Sequence, residues 1–178
     1  MFQVAMQGLR YELRGALMVV SWRLHNRGDV AAYVTDRVAR VEVGGQVAVV
    51  RAPTVRVGGA GDVVLRCALA PLRAGARPIA PPVAYGRRLD VGQEEALRLE
   101  LPLPLRDSAS GDAPDARTRV FAALSLEVGV VPDDPSLHAT ERALDGAPLW
   151  RLTAAAWRLQ QTVRASVAGA GFRLLCDG

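Results

Sequence analysis

Apolar and polar residues alternate with a period of two along most of this chain. The stretch Leu17 to Asn26 shows it best. Met18, Val20, Trp22 and Leu24 are all apolar, whereas the other face starts apolar at Leu17 and Val19 and turns polar at Ser21, Arg23 and His25. Successive strand side chains point to opposite faces. This stretch therefore predicts a central strand, buried along one face and covered only at its start on the other. Asn26-Arg27-Gly28-Asp29 then predicts a tight turn.

The same reading extends along the chain. Residues 9–16 predict a short opening strand broken at Gly15, and Val30 to Thr35 a third strand. Ala39, Val41 and Val43 alternate up to Gly44-Gly45, which turns the chain into Gln46 to Val50 as a hairpin. Thr54 to Val57 resumes after Pro53, Gly58 to Asp62 turns, and Val63 to Leu69 follows. Residues 70–86, with Pro71, Pro78, Pro81 and Pro82, predict an extended crossover. After a turn at 91–95, Leu97, Leu99, Leu101, Leu103 and Leu105 alternate without exception. Pro102 and Pro104 remove N–H donors from one side of that strand, which places its end at a sheet edge or beyond the ladder. Asp107 to Thr118 reads as a polar loop, and Val120 to Val130 as a long strand stopped by Pro132. Asp134-Pro135 has the form of a helix start, so a short helix is expected over 135–144. Leu149, Leu152, Ala156, Leu159, Val163 and Val167 follow a helical stripe, yet Thr162 to Val167 also alternates. A strand over about 160–168, after a helical turn or loop, is the expectation; Phe172 to Cys176 adds a last short strand.

About eight or nine strands without βα alternation indicate a single all-β domain over 1–178, an antiparallel β-sandwich. With a Trp in the central strand and an Asn-x-Gly-Asp turn, the pattern is similar in architecture to immunoglobulin-like and fibronectin-III-like domains. Half of the 178 residues are apolar, enough for a continuous core. No apolar run approaches the ~20 residues of a membrane span. The N-terminal residues lack a secretory pattern, so a cytoplasmic, bacterial-type protein is expected.

All 22 basic residues are Arg, which excludes lysine Schiff-base and phosphate-loop chemistry. The net charge of +4 is concentrated early: residues 1–60 carry 8 Arg against 4 acids, 61–120 carry 9 against 8, and 121–178 carry 5 against 6. With neither a basic run nor an aromatic platform, nucleic acid is a secondary expectation. Cys67 alternates with Val63, Leu65 and Leu69 and reads as a reduced core thiol; a bridge to Cys176 requires an oxidising compartment.

Arg27-Gly28-Asp29 matches an adhesion tripeptide but reads as a turn. Gly58-Gly59-Ala60-Gly61 lacks the Lys-Ser/Thr of a phosphate loop and is followed by a strand. His25 and His138 read as surface residues. His138 precedes Glu141 by three positions, a spacing found in carboxylate metal bundles, but a lone copy makes no such site. No metal, cofactor or catalytic residue is assigned, because no serine lies in a nucleophile motif and Cys67 reads as buried. Trp150, Arg151, Trp157 and Arg158 form the candidate interaction set, since Trp and Arg anchor interfaces. On one helix, 150 with 157 and 151 with 158 would share faces. The competing reading is that both tryptophans close the end of the core. The functional expectation is a non-catalytic interaction or structural accessory module binding another protein. The alternatives are an Arg-mediated binder of nucleic acid or another polyanion, and a hydrolase with carboxylates assembled by the fold.

Overall fold

A computed structural model describes residues 1–41, 47–51, 53–58, 61–70, 83–103, 105, 108, 118–144, 147–169 and 173–175. The Gly44-Gly45 turn, the proline-rich span 71–82, Pro104, most of the 107–118 loop, Phe172 and Cys176 lie outside the described residues. In chain order the strands begin with β1 (Val4–Arg14), β2 (Leu17–Asn26), β3 (Ala32–Val41), β4 (Val47–Val50) and β5 (Thr54–Val57). They continue with β6 (Asp62–Cys67), β7 (Ala84–Leu89), β8 (Glu94–Pro102), β9 (Thr118–Val120) and β10 (Ala123–Pro132). A 3-10 turn (Pro135–Leu137) precedes β11 (Thr140–Leu144) and β12 (Ala147–Leu152). The helix α1 (Ala155–Leu159), β13 (Gln161–Ala168) and β14 (Arg173–Leu175) follow.

The chain is all-β, in two main layers. A three-stranded sheet runs β1-β2-β8, so the strand carrying Trp22 is central, as its burial pattern required. The larger sheet runs β11-β12-β7-β3-β10-β6-β5, with β13 also on β10 and β4 on β3. Met18, Val20, Trp22 and Leu24 of β2 and Leu97, Leu99 and Leu101 of β8 pack on Val34, Leu65 and the even positions Leu124 to Val130 of β10. Each such buried aliphatic side chain contributes about 1.5–3 kcal/mol. A second cluster lies on the opposite face of the large sheet. There Tyr33, Ala84, Val131 and Leu152 are covered by Leu137, Ala155 and Ala156. Because Tyr33 and Val34 are neighbours on β3, one strand feeds both cores.

Asn26 ends β2 and is wholly buried. Its amide nitrogen donates to the carbonyls of Val30 (2.9 Å) and Leu89 (3.1 Å), and its side-chain oxygen accepts from Gly28 N (3.1 Å). The predicted turn is thus also a tie between the sheets. Gly28 is required there, since a Cβ would lie 2.7 Å from both Gln3 N and Met1 O.

Several expectations are corrected. β6 pairs with β10 in parallel, Val63 beside Leu124 and Cys67 beside Val128, so the sheet is mixed rather than antiparallel. The described residues hold fourteen strands, more than the eight or nine expected, and β7, β11 and β12 are among them in spans read as loops or helix. The helix over 135–144 shrinks to one 3-10 turn. Asp134 caps it by accepting from Ser136 N, but His138 then takes the left-handed conformation and the chain leaves as β11. The opening strand starts at Val4 and runs through a bulge between Gln7 and Arg10. The tail resolves as expected, with helix over 155–159 and strand over 161–168. Among the described residues β8 is an edge of its sheet, and Cys67 is a buried free thiol.

Candidate functional site

Three of the open clefts lined by described residues lie on different faces. The largest, about 750 Å³, covers the outer side of the three-stranded sheet, where Arg10, Ser21 and Arg98 stand in one cross-strand row. Its arginines are largely neutralised, with Arg23 on Glu94 (3.2 Å) and Arg98 on Glu100 (2.6 Å). A second, about 420 Å³, lies on β5, β6 and β10. There Glu127 stands between Arg66 (3.8 Å) and Arg164 (3.7 Å) and is shared by both.

The third, about 310 Å³, differs in charge. It lies where β7, β11 and β12 end together and is lined by Val83, His138, Thr140, Arg151 and Thr153. Arg151 is exposed on β12, opposite Thr140 on β11, and has no ion-pair partner among the described residues. His138 is the one non-glycine residue among them with positive φ (42°). Both threonine hydroxyls are committed: Thr140 donates to His138 O (3.2 Å) and Thr153 to Ser136 O (2.9 Å). Those two bonds hold the 3-10 turn against β11 and β12. Among the described residues no carboxylate lines the cleft to offset Arg151.

The sequence candidates divide. Trp150 is on a strand and Trp157 on α1, so they share no helix face. Both pack on the second core: Trp150 lies 6.1 Å from the Tyr33 ring, and Trp157 Nε1 donates to Ala70 O at 2.9 Å. Both indoles are half-buried, each with one side against that core. Arg158 is exposed at the end of α1, and Arg151 lines the third cleft. His138 and Glu141 do not share a helix, and the described residues contain no group of three His, Cys, Asp or Glu placed to hold a metal. Arg27-Gly28-Asp29 is bound by its backbone to the N-terminal segment, Arg27 N to Gln3 O at 2.8 Å and Asp29 N to Met1 O at 3.2 Å. Gly58 and Asp62 close the β5–β6 hairpin.

Sequence reasoning missed a buried ionic cluster between the layers. Asp36 Oδ2 on β3 accepts from Arg51 Nε (2.8 Å) and Arg87 Nη2 (3.1 Å), and Arg87 on β7 also pairs with Glu95 on β8. Arg51 further donates to Arg98 O (2.6 Å) and lies 5.8 Å from the Trp22 ring centre. A signal was present: Asp36 stands two residues after inward Val34, and Arg87 two before inward Leu89. Burial lowers the Arg87 pKa, with Asp36 opposing the shift. The cluster ties β8 to β3 and β7.

Compared with protein families, curated proteins and solved structures, the chain matches none of them.

Proposed function

We propose that this protein is a non-catalytic binding module, a cytoplasmic relative in design of immunoglobulin-like and fibronectin-III-like sandwiches, that docks another protein at the β11–β12 corner. The observation that carries this reading is the outer edge of β11. Among the described residues β11 pairs with β12 alone, and Thr140, Glu141, Arg142 and Ala143 are all exposed. The large sheet's other outer strand is capped, for Val55 N donates to Ser108 Oγ (2.9 Å) and Val55 O accepts from Ser108 N (2.8 Å). An open strand edge recruits an extended segment through backbone hydrogen bonds. The central Glu141 and Arg142 oppose self-pairing, because a two-fold antiparallel pairing centred on either places like charges opposite each other.

The test compares wild-type protein with Glu141→Lys/Arg142→Glu as bait in nuclease-treated lysate of the source organism at physiological salt. A stoichiometric protein held by the wild type and lost from the variant is expected. Equal recovery on both baits sinks the reading. The second reading, polyanion binding, draws on the Arg10–Ser21–Arg98 row. Its mark is capture that disappears with nuclease and falls steeply with salt.

A further inference from the structure

We propose that the Arg151–His138 cleft is a carboxylate subsite that takes the C-terminal carboxylate of an extended peptide added to the β11 edge. The proposal rests on the docking reading above and names the chemistry of the partner.

Three observations converge. First is charge: the cleft presents one guanidinium and one imidazole, and among the described residues neither a carboxylate in its lining nor an ion pair on Arg151 offsets them. In the other two clefts Arg23 and Arg98 each pair with a glutamate, and Arg66 shares Glu127 with Arg164. A guanidinium binds a carboxylate through two parallel N–H···O bonds, and charge-assisted bonds of this kind are about twice as strong as neutral ones. Second is direction. A chain added antiparallel to β11 runs opposite to it and ends beside Thr140, the β11 residue that lines the cleft. Only that direction delivers a C-terminus to Arg151. Third is the apolar wall. Val83, 37% exposed, lines the same cleft and can cover the last side chain of the incoming peptide. The two threonine hydroxyls have already donated their protons, so Arg151 and His138 are the side-chain donors left to meet an anion.

The probes are acetyl-tetraalanine as the free acid, the same peptide as its C-terminal amide, and inorganic phosphate. Each is titrated into the labelled full-length protein while the Arg151 Nε–H and His138 ring signals are followed by NMR. Saturable shifts are expected with the free acid, at roughly tenfold higher affinity than with the amide, the ratio one charge-assisted hydrogen bond supplies. Arg151→Leu abolishes that difference. His138→Gly, which suits the left-handed backbone, reduces it several-fold, and Arg158→Leu leaves it intact; a dispersed amide spectrum verifies that each variant folds.

Equal binding of acid and amide overturns the proposal, as does a response to phosphate without one to the peptide acid. In the capture experiment, a partner retained by Arg151→Leu but lost from Glu141→Lys/Arg142→Glu preserves the docking reading and overturns the carboxylate subsite. Acid-selective binding at Arg151 with no partner captured does the reverse: the subsite stands and the docking reading falls.

Discussion

Asp36 is a charged residue at a position where the β3 pattern calls for an apolar one, and its side chain is completely buried between the sheets. Arg51 and Arg87 both point their guanidinium groups at one of its oxygens. Removing one partner from a buried ion pair leaves an uncompensated charge, at a cost of about 3–5 kcal/mol. Asp36→Leu should therefore destabilise by about that amount in urea unfolding. Asp36→Leu/Arg87→Met should cost less than the sum of the single changes, since one stranded guanidinium is removed with the carboxylate. Additive costs would mean that the two side chains are not coupled. Cys67 is the other informative residue. Burial, aided by the nearby Asp36 charge, pushes its thiol from an ordinary 9.0 up to about 12. Between those values the unfolded chain releases a proton that the folded chain retains, so stability falls as pH rises through that window. Tyr33, raised above 10.0 by burial and then by Asp133, acts in the same direction. Unfolding midpoints should drop progressively above pH ~9, and Cys67→Ser should flatten part of that drop. Thiol reagents at pH ~8 should modify Cys67 only in denaturant.

The junction between α1 and β13 depends on one glycine. Gln160 Oε1 accepts from Thr35 Oγ1 (2.8 Å) and Leu69 N (2.9 Å), joining β3, the end of β6 and the start of β13. It reaches them over Gly129 of β10, where a Cβ would lie 2.3 Å from Gln160 Oε1 and 2.5 Å from Thr35 Oγ1. Gly129→Ala should cost about 1–3 kcal/mol by overpacking, measured by thermal or urea unfolding. Adding Gln160→Ala should recover part of the loss, because the two sites share one space; no recovery would place the clash elsewhere. The C-terminal stretch was ambiguous because its spacing suits a helix and a strand at once. What resolves it is that Val163 and Val167 have a core to face once β13 lies on β10. The expected helix at 135–144 fails for a related reason. The Asp-Pro start works as a cap, but Leu137 is drawn into the second core, and the chain turns at His138 to pair with β12 instead.

At the scale of the whole molecule, the two layers join segments that are far apart in the chain. β2 pairs with β8, and β6 with β10, each across more than half a hundred intervening residues. Such non-local pairing slows folding, because loop closure must precede the contacts that repay it. Refolding from urea should accordingly fall in the ~1 ms to 1 s range of β-rich domains rather than in microseconds. Stopped-flow tryptophan fluorescence will read it, since Trp22 is buried at the centre of the first core. A microsecond phase carrying the full amplitude would contradict this view of the sheet.

The sequence by itself determined the features that depend on near neighbours. Alternation specified an all-β chain, marked β2 as a strand with one buried face, ended β8 at a proline-bearing edge and set Cys67 inside. Each of these follows from backbone sterics and a period of two, which act within a few residues. Tertiary structure alone decided which strands meet. The parallel β6–β10 pair, the tie from Asn26 to Leu89, and the burial of Asp36 with Arg87 and Glu95 join residues whose proximity no local pattern encodes. The same holds for the corner that gathers Val83, His138 and Arg151. Of the four interaction candidates, Arg151 lines a cleft, while the two tryptophans lie half-buried against the second core, which takes part of each indole out of water.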